Sequence, residues 1–385
     1  MLKQEDNFCP APWTSLYHMV NKNSPCHTNR SFNVETPMQY FSSDRLKQIK
    51  EDFHNNVFTE SCAMCKARED HGLKSTRKEI IRIFNAHTSH DKLSVQAAPL
   101  KRIELRLSNL CNYKCRMCEP YSSSELALEM ITHSKFNFPD NAAGEHVLKT
   151  SEEQIDELKK LSHTIEVLCL TGGEPFLIKQ YYDFLDYLIE NDLSKNIIVE
   201  LYTNCSVYNE KMIEKLLKFK AVRLVVSIDG VGKTAEYIRH GTKWETVKQN
   251  IFAFAQLPFY LHFNTAISPY TLFDVYRLSE FLVELYERNK NIKTKCYSVI
   301  TPIELHYNNM SVEHRKIAID QIDKACEILV QDNFKIFVKE LQDLKNILIT
   351  NDPIDPNRFI EFTQRLDSIR NENFEEVFGF SLTSV

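Results

Sequence analysis

The chain has 385 residues, a net charge of −5, 43% hydrophobic and 26% charged residues. That length exceeds the roughly 250–300 residues at which single cores tend to split, so one large domain plus a smaller one is expected. The charge excludes an overall basic field for nucleic acid, no run approaches the ~18 apolar residues of a membrane span, and Met1–Asp6 has no apolar signal-peptide core. The expected compartment is the cytoplasm, where thiols stay reduced. Eleven cysteines there read as ligands before disulfides.

Phe8-Cys9-Pro10-Ala11-Pro12-Trp13 opens the chain. Thr14 to Val20 reads as a strand, Asn21 to Ser24 as a turn, and Pro25-Cys26-His27 as the start of a return strand. Leu46 to Phe53 has the spacing of a short amphipathic helix. Ser61-Cys62-Ala63-Met64-Cys65 places a C-x2-C pair on a turn entering a polar helix that runs from Lys66 to about Ala86. Cys9, Cys26, Cys62 and Cys65 supply four thiolates with no open position, which suits a closed iron–sulfur or zinc site. Lys66, Arg68, Lys74, Arg77, Lys78 and Arg82 make the following helix basic. Either they form a solvated face interleaved with Glu69, Asp70 and Glu79, or some offset the charge of a thiolate-ligated centre. Residues 87–99 lose periodicity and read as a linker.

From residue 101 apolar strand runs alternate with helical runs. Strands are expected at 101–108, 165–171, 196–203, 221–228, 259–267 and 293–300. Helices are expected at about 121–133, 152–162, 178–191, 208–218, 243–255 and 271–289. Repeated strand–helix units predict a parallel sheet with right-handed crossovers. Residues 134–150 read as an insertion, and the tail, 311–370, as charged helices.

After the first of these strands come Cys111, Cys115 and Cys118, at C-x3-C-x2-C spacing. Three thiolates in eight residues can turn inward together around a soft cation. No fourth cysteine or histidine follows closely, so a four-iron cluster held here would keep one iron open; a three-cysteine zinc loop is the alternative. In parallel α/β barrels reacting residues collect at the C-terminal ends of strands. There the sequence places Gly172-Gly173-Glu174-Pro175, then Thr203-Asn204-Cys205, then Ser227-Ile228-Asp229-Gly230, then Asn264 to Ser268. Arg239-His240-Gly241-Thr242-Lys243-Trp244 follows the fourth strand.

Taken together and in order, these motifs resemble the radical S-adenosylmethionine (SAM) superfamily. The resemblance implies an α/β fold, a partial (β/α)6 barrel, with a [4Fe–4S] cluster on Cys111, Cys115 and Cys118. It also implies SAM contacts from Gly172, Gly173 and Glu174 to the amino group, Arg239 to the carboxylate, Ser227 and Asp229 to the ribose, and Asn204 and Asn264 (or Ser268) nearby. Met117 stands where the superfamily often has an aromatic residue, and Cys205 stands at a usual glycine. The start of the chain resembles the small α+β "twitch" (SPASM-like) module, with its β-hairpin and helix, in C-P-A-P-W, the hairpin ending in P-C, and C-x2-C followed by Gly72, Ser75 and Arg77. That likeness implies a second [4Fe–4S] cluster on Cys9, Cys26, Cys62 and Cys65. His27 departs from a usual cysteine and Asn23 from a usual glycine; His27 is an alternative ligand if Cys26 turns away.

The expected domains are a twitch domain 1–86, a linker 87–99, a barrel 100–310 and a helical tail 311–385. The resemblance implies reductive cleavage of SAM to a 5′-deoxyadenosyl radical, which takes a hydrogen from the substrate. An electron donor such as flavodoxin or ferredoxin would serve it. A fully ligated auxiliary cluster suits outer-sphere electron transfer and hence net oxidation, either dehydrogenation of a small molecule or crosslinking of a peptide. The alternatives are a redox-neutral epimerase or isomerase in which Cys205 returns a hydrogen atom, and a non-enzymatic metal-binding protein. Substrate contacts are expected from Tyr297, Ser298, Thr301, Glu304, His306 and Tyr307. Only eight residues precede Cys9, too few for a peptide-binding winged helix, which makes a leader-dependent peptide less expected.

Overall fold

A computed structural model describes residues 7–20, 22–29, 36–70, 75–87, 96, 98–133 and 145–383. Gly72 and Lys74, most of the expected linker, and residues 134–144 of the expected insertion lie outside the described residues. Among the described residues the strands are β1 (Ser15–Met19), β2 (Lys22–Ser24), β3 (Arg102–Arg106), β4 (Lys114–Cys115), β5 (Val167–Leu170), β6 (Ile198–Thr203), β7 (Ala221–Ser227), β8 (Arg239–His240), β9 (Tyr260–Ile267) and β10 (Lys293–Ser298). Each of the six expected barrel strands is present, shortened at one or both ends. The fold is mixed α/β with largely parallel pairing, consistent with a partial radical SAM barrel.

Two compact units divide the chain. The first comprises Met1–Asn109, Leu148–Leu201 and Glu210–Ala221. Here β3, β5 and β6 pair in parallel, with Leu105 beside Leu170 and Leu170 beside Leu201. Alternation on β3 sends Ile103 and Leu105 into the core, while Arg102, Glu104 and Arg106 take the other face, half-buried. Those charges are matched: Arg102 lies 2.7 Å from Glu200, and Glu104 lies 3.1 Å from His27.

The hairpin of the first residues differs from the sequence expectation. Its return strand is Lys22–Ser24, not Pro25–His27, with Tyr17 opposite Ser24. Pro25 has no N–H to donate, so the ladder ends before it and Cys26 lies just beyond. On its other side β1 pairs in parallel with β3, Leu16 beside Ile103.

Helix Asp44–His54 forms because Leu46, Ile49 and Phe53 share one face, and Ser43 caps it by accepting from the Leu46 N–H at 3.3 Å. Ile49 and Phe53 bury against Phe8, Cys9, Ala11 and Ile81. The single helix expected over 66–86 is two, Ala63–Asp70 and Thr76–His87. Ser75 starts the second, its hydroxyl accepting from the Lys78 N–H at 3.0 Å.

The second unit comprises Leu110–Val147, Tyr202–Asn209 and Val222–Val385. In it β7, β9 and β10 pair in parallel, and β4 pairs antiparallel with β8. Helix Val275–Arg288 buries Leu278, Phe281, Leu282 and Leu285. The tail folds as helices Val312–Ile328, Lys335–Thr350, Pro356–Arg370 and Phe374–Phe378. Helix Lys335–Thr350 packs along β10, and Glu340 accepts the Cys296 N–H at 3.2 Å. An edge strand with free N–H groups invites foreign pairing, and this helix covers it.

Candidate active site

In the first unit the four early cysteines converge. Cys9, Cys26, Cys62 and Cys65 border one small cavity together with Phe53, Phe58, Ile80 and Arg77. Cys9 and Cys65 are buried, Cys26 and Cys62 half-buried. Burial, reinforced by neighbouring thiols, pushes Cys9 and Cys26 up and Cys62 to about 12. Such thiols ionise together only with positive charge among them, which a thiophilic metal centre supplies. Among the described residues no group of three or more His, Cys, Asp and Glu side chains is arranged to hold one metal ion; the four thiols border a shared cavity instead.

Hydrogen-bond donors back these sulfurs. The Asn29 amide donates to Cys62 Sγ at 3.2 Å and to Ser61 Oγ at 3.0 Å. Thr28 Oγ1 lies 3.3 Å from Cys26 Sγ and 3.8 Å from Cys65 Sγ. Neither was singled out from sequence, because only the fold shows which neighbours of Cys26 face the other cysteines. Arg77 is buried, its guanidinium 5.3 Å from the Phe58 ring centre, and it donates to the Phe8 carbonyl at 3.0 Å and to Glu69. Among the basic residues of this region, Arg77 therefore faces the thiol cavity. Lys66 and Arg82 instead form exposed pairs with Asp70 and Glu79. His27 Nδ1 is engaged by Glu104, which raises its pKa.

The G-G-E turn also lies in the first unit. Gly172 has φ +116°, and a Cβ there would sit 2.5 Å from the Ser108 carbonyl oxygen, so only glycine fits. The Gly173 N–H donates to that same carbonyl at 3.1 Å. Glu174 is fully buried, and its carboxylate accepts from the Phe176 N–H at 3.2 Å.

The second unit holds the three-cysteine loop. Cys115 sits on β4 directly opposite Arg239 on β8. Arg239 Nη1 approaches Cys115 Sγ at 3.8 Å, and its Nη2 lies 2.6 Å from Asp229 Oδ2. Asp229 Oδ1 accepts from the Ala266 N–H at 2.7 Å. Burial raises the Asp229 pKa against the lowering effect of Arg239. The Arg239 Nε is buried with no hydrogen-bond partner. A guanidinium with a buried, unused donor beside a thiol suits a carboxylate ligand.

Around this centre, Asn204 Nδ2 lies 3.9 Å from Cys111 Sγ and 3.1 Å from Asn112 Oδ1. Ser124 Oγ accepts from the Cys111 N–H at 3.2 Å. Ser227 and Asn264 are register partners on β7 and β9, both half-buried. Ser268 is buried and caps helix Pro269–Leu272, which leaves Asn264 as the residue beside Ser227. Tyr297 on β10 pairs with Ala266 and is half-exposed, within electrostatic reach of Asp229, Arg239, Cys118 and Cys115. Cys205 is fully buried at φ +58°, its N–H bonded to Thr203 Oγ1 and its carbonyl to Asn250. The left-handed backbone explains why glycine is usual there.

The Radical SAM superfamily model matches residues 105–282. Radical SAM cyclopropyl synthase TigE of Paramaledivibacter caminithermalis is 27% identical over 197 residues, 48% of this chain and 40% of that protein. An uncharacterized protein of Methanocaldococcus jannaschii is 29% identical over 133 residues, 34% of this chain and 40% of that protein. The chain thus spans 40% of the length of each of these two curated relatives. Among solved structures, anSMEcpe with bound AdoMet and peptide is similar at a TM-score of 0.42 and 15% identity, covering 60% of each chain. Streptococcus suis SuiB bound to precursor peptide SuiA is similar at a TM-score of 0.40 and 15% identity, covering 71% of this chain and 62% of that one. No helix among the described residues is long and apolar enough to cross a membrane.

Proposed function

We propose that this chain, which is a radical SAM enzyme, carries out a net two-electron oxidation of an organic substrate. The observation that carries the placement of its reactive centre is Arg239, which reaches both Cys115 and Asp229 with one donor unused. Cys111, Cys115 and Cys118 would hold the [4Fe–4S] cluster, and Arg239 the carboxylate end of SAM. When bound, the cluster and SAM supply hydrogen-atom abstraction from a C–H bond. Ser227, Asp229, Asn204 and Asn264 are assigned to orienting SAM, and Gly172, Gly173 and Glu174 to its ammonium end by their motif alone.

Cys9, Cys26, Cys62 and Cys65, within an auxiliary module of residues 1–86, are assigned a second [4Fe–4S] cluster. The thiol cavity backed by Thr28, Asn29 and Arg77 supports this. A second one-electron site lets a hydrogen atom, then an electron and a proton, leave the substrate. That is the balance of a dehydrogenation or of a crosslink. The relationship to a cyclopropyl synthase supports the same direction, because joining two saturated C–H carbons removes two hydrogens. The residues around Tyr297 are assigned to the substrate, a small molecule or a peptide, and the electrons to a donor of the flavodoxin or ferredoxin kind. Cys205, buried on left-handed backbone, is assigned a structural role.

Anaerobic reconstitution with iron and sulfide tests this reading. The expected result is about eight iron per chain, falling to about four when Cys9, Cys62 and Cys65 are replaced by alanine. With dithionite the protein should turn SAM into methionine and 5′-deoxyadenosine, and Cys115→Ala should abolish this. Zinc as the sole bound metal would defeat both cluster assignments.

A further inference from the structure

The residues flanking Cys115 are tied to the tail, Arg116 directly and Lys114 through Glu129. Arg116 is fully buried. Its guanidinium lies 3.6 Å from the Tyr237 ring centre, and its Nε donates to the Tyr237 carbonyl at 3.0 Å. Its Nη2 pairs with Asp367 Oδ1 at 2.5 Å and with Glu372 Oε2. Tyr237 donates its own hydroxyl to Asp367 at 2.7 Å. On the other side of Cys115, Lys114 lies 3.0 Å from Glu129, and Glu129 is held by the buried Arg370 at 2.7 Å.

Glu372 has a second contact. Its Oε1 lies 2.7 Å from His240 Nδ1, and His240 follows Arg239 on β8. One tail carboxylate therefore grips both strands of the two-residue ladder, the one bearing Cys115 and the one bearing Arg239. The tail is itself fixed. Asp367 Oδ2 accepts from the Phe374 N–H at 2.9 Å, and the Phe374 ring packs edge-on or tilted among Tyr270, Phe273, Phe359 and Phe378. Asn371 turns the chain between Arg370 and Glu372 at φ +52°.

We propose that Glu372, assisted by Asp367, is a positioning residue for SAM: it fixes the cysteine loop and the Arg239 strand relative to each other through Arg116 and His240. This rests on assigning Cys115 to the cluster and Arg239 to SAM. The two strands pair over only two positions, so side-chain ties add to what the backbone holds. Outer partners that fix a ligand's orientation commonly set affinity by 10–100-fold. The ionic partners of Arg116 come from a segment some 250 residues away.

The test uses the full chain with its clusters reconstituted. Iron content, the EPR spectrum of the reduced protein with and without SAM, SAM affinity and melting temperature are measured for wild type, Glu372→Gln, Glu372→Asp and His240→Gln. Glu372→Gln is expected to keep its iron, to bind SAM about tenfold more weakly, and to show a smaller SAM-induced change in the EPR signal. Glu372→Asp should recover part of the affinity. His240→Gln, which leaves the buried arginine pairs intact, should fold normally and weaken SAM binding by a smaller factor. Should Glu372→Gln not fold, His240→Gln decides alone. Wild-type SAM affinity and EPR response in the folded variants, with or without a lower melting temperature, would overturn the proposal while leaving the cluster assignment standing. A wild-type protein that takes up iron yet shows no spectral response to SAM would overturn the proposal together with the assignment of SAM to the Cys115 cluster.

Discussion

Arg239 and Asp229 form a buried ion pair at 2.6 Å, and the same guanidinium lies 3.8 Å from the thiol of Cys115. The carboxylate is shielded from water and its pKa is raised by that burial despite the arginine.

Removing one partner of a buried pair leaves the other uncompensated, at a cost of about 3–5 kcal/mol. Asp229→Asn should therefore lower the unfolding free energy by about that amount in urea at neutral pH. Arg239→Lys keeps the charge but loses the planar fork. It should destabilise the fold less and weaken SAM binding by about tenfold or more. A lysine variant with wild-type SAM affinity would remove Arg239 from the SAM site.

Gly172→Ala tests whether the G-G-E turn tolerates any side chain. A Cβ would stand 2.5 Å from the Ser108 carbonyl, and φ is +116°. Backbone strain of this kind costs about 1–3 kcal/mol before the clash is counted. The alanine variant should lose at least that much in chemical unfolding. An unchanged midpoint would mean the turn is held more loosely than its contacts indicate.

Much of this architecture is legible in the sequence because its signals are local. Ile103 and Leu105 alternate with charged neighbours and mark β3, and Val199 and Leu201 flank Glu200 in β6. The gathering of Cys9 and Cys26 with Cys62 and Cys65 follows from ligand arithmetic. The rest depends on contacts between distant segments. Nothing near Ser15–Met19 announces that it pairs in parallel with Arg102–Arg106, since a short strand reads the same beside either neighbour. The return strand, Lys22–Ser24, lies where the polar residues Asn21–Ser24 read as a turn, and the missing proline N–H decides where the ladder stops. Arg116 and Glu372 could not be paired from sequence at all: each reads as an ordinary surface charge, and only the fold buries them together.

Asn29→Ala should shift the auxiliary centre without touching the other. The Asn29 amide donates to Cys62 Sγ, and such donors stabilise the extra electron density of a reduced cluster. Removing it should lower the midpoint potential of the cluster on Cys9, Cys26, Cys62 and Cys65 in an EPR-monitored redox titration. The SAM-binding cluster should keep its potential. Equal potentials in wild type and variant would show that Asn29 is only packing.

His18 gives the first unit a defined acid sensitivity. Its ring is fully buried, 2.9 Å from Asn23 Oδ1 and 3.1 Å from Thr150 Oγ1, and burial lowers its pKa from 6.5 to about 4. The unfolded chain binds a proton near pH 6.5 that the folded one refuses until about pH 4. Stability contributed by the neutral ring is thus complete above pH 6.5 and is lost as pH falls through that window. At about 1.4 kcal/mol per pKa unit, the full loss is about 3 kcal/mol. Urea unfolding of the full chain between pH 7 and pH 4 should therefore decline more steeply in wild type than in His18→Gln, which carries no titrating ring. The glutamine variant should start lower at pH 7, because its amide fits the Asn23 and Thr150 positions less well, and the two curves should converge towards about pH 4. Parallel curves would show that His18 titrates alike in both states and contributes nothing to the acid response.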